Sequence, residues 1–245
     1  MPSVDSTNAE VLRSPRPWRV LVAEEQTAGR GRLGRAWTTR AGSDLAVSVV
    51  LPYDEGMPLG WVPLIAGLAV RAALAQSAGL DTVLKWPNDV LVPGDAERKI
   101  AGILCQWSPA GVVVGTGINV STSRAGLSHE GATSVAAAGG ELAGEAARER
   151  LLTAYLTHLA ALHTDLREHP DVVRAAYREV CATIGAQVRV VEPGGMRHGR
   201  VVTVDDEGRL VLLTTNGRVA LSAGDVVHVR PGDTTPGGAA PGTPD

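Results

Sequence analysis

Phenylalanine is absent from this chain, and aromatic residues make up only 3% of it. The core must therefore be aliphatic, and the five tryptophans stand out as residues that shape pockets rather than fill volume. Cysteine is scarce. Cys105 and Cys181 have no metal-ligand spacing and read as small buried hydrophobes in a reducing compartment. Charge of one sign is not in excess either: a net charge of −3 supplies no global field toward nucleic acid or an anionic membrane. Residues 1–15 hold no apolar segment, so no secretory signal is expected there. The most apolar window, 60–78, is broken by Gly60, Pro63 and Gly67 and carries Arg71, which fits a buried helix rather than a membrane span. The remainder, 44% hydrophobic and 20% charged over 245 residues, suits one large globular domain plus a small one.

What is present concentrates in residues 24–37, EEQTAGRGRLGRAW. Arg30, Arg32 and Arg35 alternate with Gly29, Gly31 and Gly34 directly after an apolar run. Glycine lets backbone turn and approach a ligand closely. Arginine offers planar, permanently charged donors that match phosphate and carboxylate oxygens. Such a segment fits closure over a small anionic ligand; a solvated basic loop is the plain alternative. The same residues contain G-x-G-x-x-G, but arginines between the glycines argue against a Rossmann turn, whose glycines pack tightly against a helix and a strand. The Lys-Ser/Thr pair of a P-loop is missing.

Along the chain, Ser6-Thr7-Asn8 reads as a helix cap before residues 9–12. Strands are expected at 18–25 and 45–51, a buried helix at 61–78, and two short strands at 83–86 and 90–92 bent at a Pro87-Asn88 corner. A hairpin through SPAG joins 100–107 to 111–120. Residues 121–143 read as loop with a short element. Helices are expected at 144–167, with a stripe of Leu151, Leu152, Tyr155, Leu159, Leu162 and Leu166, and at 170–183, opened by Pro170. Beyond Gly185 five short Val-rich strands with turns at 205–208 and Asn216-Gly217 suggest a small β-barrel. Residues 231–245 read as a disordered tail.

Three further clusters carry chemistry. In Lys85-Trp86-Pro87-Asn88-Asp89, charges flank a bend between apolar strands, where they must be paired or functional; a structural Lys85–Asp89 pair is the simple case. In Arg98-Lys99-Ile100-Ala101-Gly102, Lys99 stands at a strand end, from which its ammonium can enter a cleft or remain exposed in a turn. In Gly115-Thr116-Gly117-Ile118-Asn119, small residues within a Val-rich strand indicate close approach by a ligand, or else a β-bulge.

The order STN, GRGRxGR, KWPND, KxAGIL, GxGIN resembles the biotin protein ligases, the biotin–[acetyl-CoA-carboxylase] ligases. The motifs cover residues 5–120, and the small C-terminal unit extends the likeness to 231. The resemblance implies an α+β fold: a mixed β-sheet flanked by helices, class II synthetase-like, over 1–184, with an SH3-like β-barrel over 185–231 and a tail over 232–245. It implies ATP-dependent formation of biotinyl-5′-AMP and transfer of biotin to a lysine of a biotin carboxyl carrier protein. Lys99, Arg32 and Asp89 would be catalytic. Ser6, Thr7, Asn8, Gln26, Gly29, Arg30, Gly31, Arg32, Lys99, Gly102 and Gly115 would bind biotin. Arg32, Arg35, Trp37, Lys85, Asn88 and Asn119 would hold ATP or the adenylate, and Asp89 is a candidate Mg²⁺ contact. Biotin, ATP and the carrier domain are the expected partners, with no DNA or membrane, in a cytoplasmic monomer or weak homodimer. The STN motif begins at residue 6, which leaves no room before it for a helix-turn-helix, so a ligase without repressor activity is expected. A lipoate or octanoate ligase or transferase of related fold is the enzyme alternative, and a non-catalytic binding module the other; GRGRLGR and KWPND favour biotin.

Overall fold

The computed structural model describes residues 1–37, 39, 41–142, 146–192 and 195–229. In chain order the first elements are β1 (Ser3–Val4), α1 (Thr7–Leu12), β2 (Val20–Ala23), β3 (Glu25–Gln26) and β4 (Asp44–Leu51). Next come α2 (Val62–Ala78), β5 (Val83–Lys85), β6 (Asp89–Val92), β7 (Arg98–Ser108) and β8 (Gly111–Asn119). Two helices, α3 (Ala147–Glu168) and α4 (Pro170–Val180), precede β9 (Gln187–Glu192), β10 (Gly195–Val204), β11 (Leu210–Thr214), β12 (Gly217–Leu221) and β13 (Asp225–His228).

Six strands form one sheet in the order β2-β4-β8-β7-β6-β5, antiparallel at every step. Parallel pairing enters through β1–β3 and the isolated bridges Leu84–Cys181 and Lys99–Ala132. Strand β4 is buried along its whole length because both faces of the sheet are covered. On one face Leu45, Val47, Val49 and Leu51 join the main core with α2 and α3. On the other, Val50 and Val113 pack with Val11 of α1. Cross-strand register then gathers small residues beside α1: Ala46 lies opposite Gly117, Ser48 opposite Gly115, and Gly102 opposite Gly117. Side-chain alternation puts all of these on one face, which becomes the floor of the site.

Helix α2 is the apolar window of the sequence. Leu59–Ala78 is long and apolar enough to cross a membrane by composition, yet Ile65, Val70 and Leu74 are fully buried in the main core. On α3, Leu151, Tyr155, Leu159 and Leu166 are buried, whereas Leu152 and Leu162 are partly covered. The helix starts at Ala147 rather than 144, and residue 144 lies outside the described residues. Helix α4 stops at Val180 rather than 183, because the chain turns extended at Cys181 and Ala182 N–H donates to Leu84 O at 2.9 Å.

The C-terminal strands form an open sheet, β12-β11-β10-β9-β13. Its two ends, β12 and β13, are not neighbours in this ladder, so the expected barrel is not closed among the described residues. Two tryptophans fasten the β10–β11 turn to the larger unit: Trp61 Nε1 donates to Asp206 O and Trp86 Nε1 to Gly208 O, each at 3.0 Å. Both indoles are buried, so these bonds also satisfy donors that would otherwise be costly. The expectation of a disordered tail falls outside the described residues.

Candidate active site

A cleft of about 840 Å³ opens on the α1 side of the large sheet, within the range of small-molecule sites. It is bounded by the start of α1, the Gly/Arg segment, the β5–β6 corner, residues 128–132 and the end of β13. Of the residues expected at the site, all but Gly29 line this cleft. Gly29 stands at the root of the Gly/Arg segment, where its carbonyl accepts from Trp37 N–H at 2.9 Å and a Cβ would overlap Trp37 O.

The floor requires glycine. A Cβ at Gly115 would overlap Asn8 Oδ1, one at Gly117 would overlap the Trp37 indole, and one at Gly102 would stand 2.9 Å from Lys99 Cε. The β8 ladder runs without a register shift, so the bulge considered for its glycines is not there. The shift lies instead between β6 and β7: Val90 faces Ala101, and Leu91 faces Lys99, with Ile100 extra. This inserted residue changes the phase of β7. Strict alternation would place Lys99 and Gly102 on opposite faces; the bulge brings both to the cleft while Ile100 enters the core.

Lys99 Nζ meets Asp89 Oδ1 at 2.6 Å, and both side chains are about one-quarter exposed, at 24% and 23%. The sequence-level alternative of a Lys85–Asp89 pair is therefore corrected: those two residues face each other across the β5–β6 hairpin, but the carboxylate turns to Lys99. Lys99 Nζ also stands 5.4 Å from the Trp37 ring centroid, within cation–π range. Asn88 is oriented by β7, donating from Nδ2 to Ile103 O at 3.2 Å, and its Oδ1 accepts from Arg32 Nη1 at 3.2 Å.

Within the Gly/Arg segment, Gly31 N–H donates to Arg35 O at 2.7 Å and residues 30 and 36 form an antiparallel bridge, so the arginines stand on a small excursion with Leu33 at its exposed tip. Burial lowers the pKa of the Arg32 guanidinium from its ordinary value, while Asp89 and Asp225 raise it. Arginine stays protonated regardless. Arg35 is ion-paired with Asp225 of β13.

At the other end, Ser6 precedes α1, but its hydroxyl makes no cap bond. The first helical N–H, that of Thr7, donates instead to Gln26 Oε1 at 2.8 Å, which corrects the plain-cap reading. Asn8 is buried, donating to Leu104 O at 3.1 Å and Gln106 Oε1 at 2.8 Å. Asn119 lines the cleft and donates to Thr133 O at 2.8 Å, holding the 131–133 segment that runs beside Lys99.

Sequence reasoning missed His129, Asp225 and His228, which line the cleft, and Ser48 beneath it; Gly117, named only within its small-residue cluster, also lines it. A serine within an apolar strand run was the available sign for Ser48. His129, Asp225 and His228 are brought in by distant segments and carried no local signal. The thiols offer no nucleophile: burial pushes Cys105 up to about 12, and Cys181, the buried one of the pair, is raised by the same cause. Taken as a whole residue Cys105 is only partly covered, less than the buried residue expected, although its thiol is desolvated.

Residues 1–123 match the Biotin/lipoate A/B protein ligase family, and residues 183–229 match the Biotin protein ligase C terminal domain. The chain is 39% identical over 236 residues to the biotin–[acetyl-CoA-carboxylase] ligase of Mycobacterium tuberculosis, covering 92% of this chain and 86% of that protein. It is 30% identical over 237 residues to the bifunctional ligase/repressor BirA of Bacillus subtilis, covering 91% of this chain and 70% of that one. The biotin protein ligase of Aquifex aeolicus, solved in complex with biotin and ATP, superposes with a TM-score of 0.80 at 28% identity, covering 94% and 97% of the two chains.

Proposed function

The chain belongs to the biotin/lipoate A/B protein ligase family, among its biotin protein ligases, and we propose that it activates biotin with ATP as biotinyl-5′-AMP and passes the biotin to one lysine of a carrier domain. In the first step a biotin carboxylate oxygen bonds to the α-phosphorus as the bond to the β-phosphate breaks and diphosphate leaves. In the second, the carrier lysine amine attacks the acyl carbon, loses a proton, and AMP leaves. Neither step needs an enzyme nucleophile, which agrees with the raised thiols. Catalysis then rests on positioning and electrostatics.

The observation that carries this reading is the convergence of Arg32, Lys99 and Asp89 at one end of a glycine-floored cleft whose other end is uncharged and polar. The Lys99–Asp89 pair defines a place where an ammonium holds a carboxylate. An incoming biotin carboxylate would take that ammonium, with Arg32 over the phosphate. Two anions brought together in a site of low dielectric repel by several kcal/mol unless cations stand between them. Gly102 and Gly115 would admit the bicyclic head, with Thr7 and Gln26 at its ureido ring. Trp37 and Asn88 would face the nucleotide. Residues 1–184 act as the catalytic unit, and residues 185–231 contribute Asp225 and His228 to its wall.

A resident metal site does not fit the side chains: among the described residues no three of His, Cys, Asp and Glu cluster to hold a metal, and Asp89 is engaged by Lys99. Magnesium brought with ATP would draw its oxygens chiefly from phosphate and water. Two unpaired cysteines are in keeping with a cytoplasmic setting.

Isotope exchange between diphosphate and ATP tests the reading. Exchange is expected with biotin, and label should pass from biotin to a carrier domain. Exchange with lipoate instead assigns the chain to the lipoate chemistry of the family, and exchange with neither leaves only a binding role.

A further inference from the structure

The chain carries twenty-one arginines and only two lysines, Lys85 and Lys99, and both lysines line the cleft. A chain that takes arginine almost everywhere keeps lysine at two places where a compact, rotatable ammonium stands instead of a planar fork. Lys99 is paired with Asp89. Lys85 is partly buried, and its ammonium has no hydrogen-bond or ion-pair partner among the described residues. A partly desolvated charge left unpaired is unfavourable, so its place in the cleft needs a reason.

Strand register supplies one. Lys85 lies opposite Asp89, Asp89 opposite Gly102, Gly102 opposite Gly117, and Gly117 opposite Ala46. These residues form one row across the sheet, at roughly 5 Å per strand, and Lys85 ends it on the last strand, β5. The backbone is fixed on both sides of this lysine. Leu84 O accepts from Ala182 N–H at 2.9 Å, and Trp86 N–H donates to Thr183 Oγ1 at 3.0 Å. The side chain is a cation on a rigid mount.

In the biotin reading the bicyclic head lies toward Gly115, and the carboxylate meets the α-phosphorus near Lys99 and Asp89. Displacement at phosphorus runs in line, so the leaving oxygen departs on the side opposite the attacking carboxylate. Continued from the glycines past Asp89, that line reaches β5 and Lys85. We propose that Lys85 is a further catalytic residue, a cation that holds the leaving diphosphate. As the carboxylate oxygen bonds to the α-phosphorus, the bond from that phosphorus to the α,β-bridging oxygen breaks and its electron pair goes to the diphosphate. The Lys85 ammonium donates hydrogen bonds to the diphosphate oxygens and gives up no proton. The inference rests on the biotin reading and deepens it: a general place in ATP binding narrows to the group that leaves. Diphosphate is gone before the carrier lysine reacts, so Lys85 serves the first step and not the second.

The test takes the full chain as wild type, Lys85→Met and Lys85→Arg through each step separately. Single-turnover formation of biotinyl-5′-AMP should fall about a hundredfold in Lys85→Met, the scale of one lost charge-stabilising donor. Lys85→Arg keeps the charge and should recover about tenfold of that loss. Transfer from synthetic biotinyl-5′-AMP to a carrier domain should stay within about threefold of wild type in both variants. Inhibition by magnesium diphosphate should weaken at least about tenfold in Lys85→Met, whereas inhibition by AMP, which has no β-phosphate, should not change. Equal losses in the two steps, equal losses for diphosphate and AMP, or unchanged adenylate formation would overturn the role of Lys85. Should Lys85→Met fail to fold, wild type decides. With two lysines in the chain, acetylation by acetic anhydride can be read at each by mass spectrometry, and diphosphate should shield Lys85 while AMP does not. Equal acetylation of Lys85 with and without diphosphate refutes the proposal. Wild type that forms no biotinyl-5′-AMP overturns the functional reading, whereas normal adenylation by Lys85→Met overturns this proposal alone.

Discussion

Arg35 of the Gly/Arg segment and Asp225 of β13 form an ion pair across 190 positions of sequence. It ties the loop over the cleft to the C-terminal sheet, which is itself fastened by Trp61 and Trp86. Both partners are substantially exposed, at 62% and 37%, so the pair contributes less than about 1 kcal/mol to folding. Its consequence lies in holding the loop. Asp225→Ala should leave the melting temperature close to wild type while biotinyl-5′-AMP escapes several-fold faster. Raised salt should have the same effect on wild type and little on the variant. An escape rate insensitive to both would remove the latch.

Lys99→Ala should lower the rate of adenylate formation by at least about a hundredfold, because the cation facing two anions is lost. Folding should suffer by only about 1 kcal/mol, the scale of one lost polar contact at a partly exposed site. Single-turnover kinetics and thermal melts separate the two. A collapse of stability with normal biotin affinity in the folded fraction would make Lys99 structural.

The glycine floor predicts steric exclusion. Gly115→Ala puts a methyl onto Asn8 Oδ1, and Gly117→Ala puts one onto the Trp37 indole. Gly115→Ala should cost about 1–3 kcal/mol of stability through overpacking and weaken biotin binding. Gly117→Ala should instead move Trp37, which a change in indole fluorescence of the unliganded protein would register. Two variants indistinguishable from wild type in binding would show that the floor has room to spare.

Asp95 braces the wall near Lys99. It accepts from Arg98 at 2.8 Å, from Arg124 at 2.7 Å and from the Thr133 hydroxyl. Desolvation raises its pKa, but the bonds from Thr133, Arg124 and Arg98 outweigh it, so the net shift is downward. A carboxyl with a depressed folded pKa stabilises the fold above its unfolded value, and that contribution fades as pH falls through the folded one. Asp95→Asn should therefore melt lower than wild type at pH 7. The gap should narrow as pH falls from about 4 downward, below the ordinary carboxylate pKa. A gap that does not change with pH would assign the loss to packing.

Much of the fold was legible because its signals are local. The apolar runs of β4, β7 and β8, the Asn216-Gly217 turn and the apolar stripe of α3 all appear where pattern put them. The ends of helices were less legible. Helix α4 stops where Cys181 finds a strand partner in Leu84, a contact between residues 97 positions apart that no helix-end rule contains. The C-terminal strands were placed, but closure into a barrel depends on pairing between the two edge strands, β12 and β13, which local pattern does not specify.

The same division runs through the site. Composition and motif order by themselves determined the chemistry: alternating glycine and arginine, a lysine at a strand end, small residues within valine runs. Which groups meet was decided only by the tertiary structure. The bulge at Ile100 turns Lys99 toward Asp89. Strand register stacks Gly102 on Gly117 and sets Ser48 beneath Thr7, and the docked C-terminal sheet delivers Asp225 to Arg35. Residue type fixes what a side chain can donate, accept or carry. Register and long-range packing decide what it faces, because they arise from contacts between segments far apart in the chain.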